Sequence, residues 1–398
     1  MNNTQELIAP FDALLAASAG GVFLDVRSPG ESTAAPLPCG VNAGILSNIE
    51  RDTVGRIYKQ RGSEEAIRYG NWFVQGKRKA TLIDKWISLI QKDNITGIYC
   101  ARGGLRSQIT QQWLSESGTA LPRVKGGYKA LRQELIAYAH NPQLSLPLLA
   151  LTGHTGCGKT RLIHTLSSHH RTIDLEDMAR HRGSAFGDTY KPQPTQIEFE
   201  NSLYLSILRE TITPLETPIL IEDESRMIGK RELPDPFFQR MCHSPRIQLE
   251  RPMKERIQII LEEYIVEEQE RLLGLYRDPE VTCSLLSSNL CEHLKRIARK
   301  LGGARFQELT KDIQDACKRQ ALENSPEYHT GWIHKLLLWY YDPLYEKHLN
   351  KISPLIVARA HPDELVASSK SLLTRLLKES SWKRKEPLRG ARNGSMMQ

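Results

Sequence analysis

The chain of 398 residues has no apolar run long enough to cross a membrane; the longest, around LSLPLLAL and PLETPILI, are short and broken by proline or charge. It has no CxxC pair, and its seven cysteines are an odd number, which argues against a disulfide scaffold and a cysteine-rich zinc site. No internal repeat is visible. The opening MNNTQELIAPFDALL has no basic n-region and carries acidic residues, so no secretory signal is expected there. The expectation is a cytoplasmic protein with reduced thiols and no membrane partner. What is present is ordinary for a globular protein: 40% hydrophobic, 25% charged and 7% aromatic. Collagen-like, low-complexity and disordered classes are excluded, and the length suggests two or three domains.

Charge is uneven. Residues 1–150 hold 17 Lys/Arg against 12 Asp/Glu, residues 151–350 hold 27 against 30, and residues 351–398 hold 10 against 4. Two basic ends flank a near-neutral middle, which suits a polyanion and suits a merely solvated surface equally well. Arg56, Lys59, Arg61, Arg68, Lys77, Arg78 and Lys79 form the densest basic group of the first part.

VFLDV (22–26) and GIYC (97–100) read as short buried strands, with helical patterns such as EEAIRYGNWFVQGK and TLIDKWISLIQK between them. Near NPQLSLP (141–147) two prolines mark a boundary, after which LLALTG, RLIHTL, RTIDLED, ENSLYLSILRE and PILIED repeat the rhythm. Strands alternating with helices imply parallel sheets covered on both faces. From about Lys254 the pattern is helical. The expected domains are 1–140, 146–375 with a helical C-terminal extension, and a basic, disordered tail at 376–398.

Two loops carry the chemistry. Cys100 ends a strand and opens CARGGLRS, after which SQITQQWLSESG reads as a helix turning Ile109 and Trp113 inward. Gly103 and Gly104 let amide N–H groups curl around one point, and the helix N-terminus with Arg102 and Arg106 favours an anion there. Cys100 is therefore a candidate catalytic thiol in an anion cradle; the plain alternative is a small buried side chain. The second loop runs Gly153, His154, Thr155, Gly156, Cys157, Gly158, Lys159, Thr160 and fits G-x-x-x-x-G-K-[ST] between a strand and a helix. Its amides would cradle phosphates, with Lys159 on the outer phosphate and Thr160 placed for Mg²⁺. Glu222 and Asp223 end one expected strand, and Asp174 and Glu176 end another; these are candidates for Mg²⁺ or proton transfer, weighed equally against solvated strand ends. His164, His169 and His170 lack metal-ligand spacing, and no permanent metal site is expected.

GVFLDVRSPGE with Asp25 and Arg27, CARGGLRS, and VKGGYKALR (124–132) resemble a rhodanese domain, in which the cysteine carries sulfur or selenium. Asp25 and Arg27 are read as structural. The loop from Cys100 to Arg106 is one residue longer than in simple sulfurtransferases and resembles the Cys-x5-Arg loop of dual-specificity phosphatases. With DLEDMARHRGSAFG (174–187), IEDESRMIG (221–229), YYDPLY (340–345) and the P-loop, the chain to about residue 375 resembles the tRNA 2-selenouridine synthase family. The resemblance implies a rhodanese-like parallel-sheet domain followed by a P-loop NTPase-like α/β domain. It also implies a transferase acting on the wobble 2-thiouridine of tRNA, with selenophosphate and geranyl diphosphate as co-substrates. The alternatives are a sulfurtransferase or Cys-x5-Arg phosphatase fused to a P-loop kinase, and a non-enzymatic sensor that only binds anions.

Overall fold

The structure is a computed structural model and describes residues 6–188, 191–213 and 217–367; the expected tail at 376–398 lies outside them. The chain groups into two compact units. One comprises Met1–Leu146, Leu175–Pro214 and Glu224–Arg240, the other Pro147–Asp174, Leu215–Asp223 and Met241–Gln398.

In the first unit, β1 (Leu7–Ile8), β2 (Val22–Asp25), β3 (Gly40–Asn42), β4 (Ile95–Tyr99) and β5 (Arg123–Val124) form a sheet in the order β1-β5-β4-β2-β3. Every pair is parallel, so each connection is a crossover, supplied mostly by helices. These are α1 (Pro10–Ser18), α2 (Pro29–Ala34), α3 (Asn48–Arg61), α4 (Ser63–Phe73), α5 (Lys77–Lys92), α6 (Leu105–Glu116) and α7 (Gly127–Ala139). A Ser47–Glu50 capping box starts α3. Leu24, Val26, Ile98 and Leu114 form the core with Trp86, whose indole N–H donates to the Ala43 carbonyl at 2.9 Å. Ile109 and Trp113 of α6 pack against this core.

The helix Gln196–Thr211 belongs to the same unit and packs on α7. Arg132 reaches Asn201 at 2.6 Å and Glu200 at 2.5 Å, and His140 meets the Tyr204 hydroxyl at 2.9 Å. The rhythm of the sequence places all of 146–375 together, whereas 175–214 and 224–240 group with the first sheet.

In the second unit, β6 (Leu148–Gly153), β7 (Thr172–Ile173) and β8 (Ile219–Glu222) join strands Arg246–Leu249 and Ile356–Ala360. The order is Ile356–Ala360, Arg246–Leu249, β6, β8, β7, all parallel. Central β6 is buried along its whole length and feeds α8 (Lys159–Leu166). The C-terminal region is helical as expected. Met253–Leu261 passes through a π turn into Glu267–Tyr276, followed by Pro279–Leu301 and Gly303–Glu323. The expected strand TIDLED is only Thr172–Ile173; Leu175–Ala179 is helix. Glu176 and Asp177 stand in its first turn, where carboxylates meet the positive end of the backbone dipoles. Among the described residues, no helix is long and apolar enough to cross a membrane.

Candidate active sites: a cysteine loop and a phosphate loop

Cys100 follows β4 directly and is 3% exposed. Its Sγ lies 3.2 Å from the Ser107 hydroxyl, which itself bonds the Gly104 carbonyl at 3.0 Å. The loop between β4 and α6 is held from outside by the GGYK segment. The amides of Tyr128 and Lys129, in the first turn of α7, donate to the carbonyls of Cys100 (2.8 Å) and Ala101 (3.1 Å). Arg123 donates to the Gly103 carbonyl at 3.0 Å. Gly127 sits at φ +61°, and a Cβ there would fall 2.5 Å from the Gly103 amide nitrogen. Only glycine allows the two backbones to approach this closely.

The two loop arginines differ. Arg102 is exposed and has no hydrogen bond or ion pair among the described residues. Arg106 grips Glu31 with both terminal nitrogens, at 2.5 and 3.1 Å. Burial favours the neutral Glu31 carboxyl, but the hydrogen bonds and charge of Arg106, with those of Ser28, prevail and hold its pKa down to about 2. The sequence placed Arg102, Gly103, Gly104 and Arg106 around one anion; in the structure Arg106 is committed to a carboxylate and Arg102 faces solvent. Asp25 and Arg27 form a buried bidentate pair at 2.7–3.0 Å, and Arg27 lies over the Tyr128 ring, 4.0 Å from its centroid. They thereby tie β2 to the start of α7.

In the second unit, Gly153, Gly156, Gly158, Lys159 and Thr160 form one turn from β6 into α8. Gly156 has φ +78°, and a Cβ there would lie 2.8 Å from the Arg256 carbonyl. Two arginines outside the motif pin the loop: Arg256 bonds the Thr155 carbonyl at 2.9 Å and Arg251 bonds the Cys157 carbonyl at 3.3 Å. Asp342 holds Arg256 at 2.5 and 3.1 Å. Tyr345 packs near both the His154 ring (5.7 Å) and the Lys159 ammonium (5.3 Å). The YYDPLY segment therefore supports the P-loop. Burial, then the Arg256 charge, push the His154 pKa down. Arg251 and Arg256 were not singled out from the sequence, because they lie about a hundred residues away without a motif of their own.

The four candidate carboxylates have different surroundings. Glu222 is fully buried at the end of β8. Asp223 is bound to Arg246 at 3.2 Å and His348 at 2.8 Å. Burial opposes its charge, yet His348 and Arg246 keep its pKa low. Asp174 bonds His164 at 2.6 Å, and Glu176 belongs to the first unit.

A parallel-sheet unit with a cysteine loop at the end of an inner strand, on one chain with a P-loop α/β unit, is the architecture of a rhodanese-like and P-loop two-site protein. Residues 146–375 match the family model described as tRNA 2-selenouridine synthase AAA domain. A tRNA 2-selenouridine synthase of Nitrosomonas europaea is 42% identical over 81% of this chain and 88% of its own. Those of Shewanella oneidensis (38%, over 86% and 90%) and Marinobacter nauticus (40%, over 88% and 94%) are similarly close. The chain belongs to the tRNA 2-selenouridine synthase family.

Proposed function

We propose that this protein replaces the 2-thio sulfur of a wobble 5-substituted 2-thiouridine in tRNA with selenium from selenophosphate, through an S-geranyl intermediate made from geranyl diphosphate. One observation supports the reading above others: a chain of this family carries two loops at strand ends, one built around the Cys100 thiol and one of phosphate-loop form with Lys159. The chemistry needs two. A thiocarbonyl sulfur is a poor leaving group, whereas an S-alkylated sulfur departs as a thiol. In the first step, sulfur attacks the allylic carbon of geranyl diphosphate and pyrophosphate leaves; loop amides and Lys159 stabilise its growing charge. Mg²⁺ on the diphosphate would supply further charge neutralisation, and Thr160 and the Glu222 carboxylate are the oxygen ligands suited to it. Asp223 is less suited, since Arg246 and His348 already take its oxygens. In the second step the Cys100 loop, with Arg102, serves selenium delivery. A tRNA substrate places the reaction in the cytoplasm.

The two steps should separate by mutation. Loss of one such cation typically costs about 10²–10³ in rate. Lys159→Ala should therefore fail to geranylate 2-thiouridine tRNA yet selenate tRNA supplied already geranylated. Cys100→Ser should do the reverse and accumulate the geranylated base. Mass detection of digested tRNA after single-turnover incubation reads both. Normal geranylation by Lys159→Ala would assign the P-loop to a nucleotide instead, and loss of both steps in Cys100→Ser would show that the sites are coupled.

A further inference from the structure

Beside the Cys100 loop, within the first unit, lies a cavity of about 1110 Å³. That is just above the ~300–1,000 Å³ range of small-molecule sites. Its wall is mostly aliphatic, with Ile45, Leu46, Val54, Ala66, Val74 and Ile109 among the lining residues. Four more large apolar side chains of the lining remain open to solvent: Ile49 (80% exposed), Tyr58 (61%), Leu105 (48%) and Ile67 (40%). Scattered exposed apolar residues need no explanation, but four around one cavity mark a surface that binds something apolar.

The rim has the opposite character. Arg51, Arg56, Lys59, Arg102 and Arg106 line it against one acid, Asp52. Arg51 and Arg106 are engaged by Glu31, and Arg56 touches the Thr53 hydroxyl at 3.3 Å. Arg102 and Lys59 carry no ion pair among the described residues. An apolar cavity with a cationic rim selects a hydrocarbon chain attached to a polyanion.

A separate observation concerns the helices that wall it. Gly55 in α3 and Gly70 in α4 both line the cavity. Helix-interior glycine is unfavourable and usually has a packing reason. Here there is none: a Cβ at Gly55 would meet nothing within 4 Å, and one at Gly70 only Val54 Cγ2 at 3.9 Å. The glycines leave empty space open, at some cost to the helices.

We propose that this cavity holds the hydrocarbon tail of the S-alkylated base, so that the tail's burial brings the modified uridine of a polyanionic RNA to the Cys100 loop. The proposal rests on the S-geranyl reading above and adds the place where the chain is held for selenium delivery. Removing one buried methylene lowers affinity roughly fourfold, so affinity tracks chain length.

The test uses the full-length protein and isothermal titration with two nucleosides, 2-(S-geranyl)thiouridine and 2-(S-methyl)thiouridine. Wild type should bind the geranyl compound at least a hundredfold more tightly. Gly55→Leu projects a side chain into the cavity, where it should cut that preference to below tenfold. Its unfolding midpoint should not fall, because leucine favours the helix more than glycine. Ala66→Leu, from the facing helix, is the second variant and should act in the same direction. A wild type that does not prefer the geranyl nucleoside, or two folded variants that keep the full preference, would overturn the proposal. Formation of S-geranyl tRNA is measured separately: its absence overturns the parent reading whatever the titration shows, and its presence without nucleoside binding overturns only this one.

Discussion

His329 has no exposed surface, yet both its ring nitrogens are satisfied. The Trp332 indole N–H donates to Nδ1 at 2.9 Å, and Nε2 donates to the Gln320 side-chain oxygen at 2.7 Å. That pattern requires the neutral ring. Burial pushes its pKa down to about 4 from 6.5. Because the folded value is the lower one, the neutral ring's contribution is intact above pH 6.5 and is lost as pH falls from 6.5 towards about 4. The gap is worth roughly 3 kcal/mol when fully traversed. In urea unfolding, the stability difference between wild type and His329→Asn should shrink as pH falls from 7.5 to 4.5. A difference independent of pH would mean that the ring does not titrate as its surroundings require. Nothing in the sequence set this histidine apart from the other eleven, since its burial comes from the packing of helices and not from a local pattern.

At the level of elements, the turn into α7 decides whether the cysteine loop keeps its shape. Gly126 and Gly127 have φ of +74° and +61°. A methyl group at Gly127 would meet the Cys100 carbonyl and the Gly103 amide, both parts of the loop it supports. Gly127→Ala should reduce selenation by at least tenfold through displacement of the Cys100 backbone, while geranylation persists; mass detection of digested tRNA measures both. Equal loss of the two steps would point to a folding defect instead. Elements with a turn motif were legible in advance: β4 into α6, and β6 into α8, both announced by glycines after an apolar run. The shortest were not. β1 and β5 have two residues each, too few for a period of two to show, β7 is legible only as a longer strand than the one that forms, and Arg246–Leu249 and Ile356–Ala360 carry arginines that disguise them as surface. At the site, the loop residues were legible from motifs. Arg251 and Arg256 were not, because their positions depend on tertiary contacts, and Tyr345 was marked only as part of YYDPLY, with nothing to connect it to Lys159.

Across the whole molecule, charge is the property tRNA would sense first. Of the seven basic residues singled out from the sequence, three already have carboxylate partners: Arg68 with Glu65, Arg78 with Glu50 and Lys79 with Glu116. Arg56, Lys59, Arg61 and Lys77 have none among the described residues. Each phosphate neutralised steepens the salt dependence by about 0.7–0.9 log units per log unit of salt. Alanine at any of these four should flatten the slope of tRNA affinity by that amount in filter binding, and alanine at Arg68 should leave it unchanged. An equal effect at all seven would mean that the ion pairs open on binding. The grouping of segments has a consequence of another kind. The chain changes unit five times, at residues 146, 174, 214, 223 and 240. A fragment ending at residue 140 would keep Arg132, Tyr138 and His140 but lose Glu200, Thr211 and Tyr204, their partners on the helix Gln196–Thr211. The cysteine-loop unit is thus threaded through the coding sequence of its neighbour, and point substitutions can dissect the two loops where no single cut of the polypeptide can.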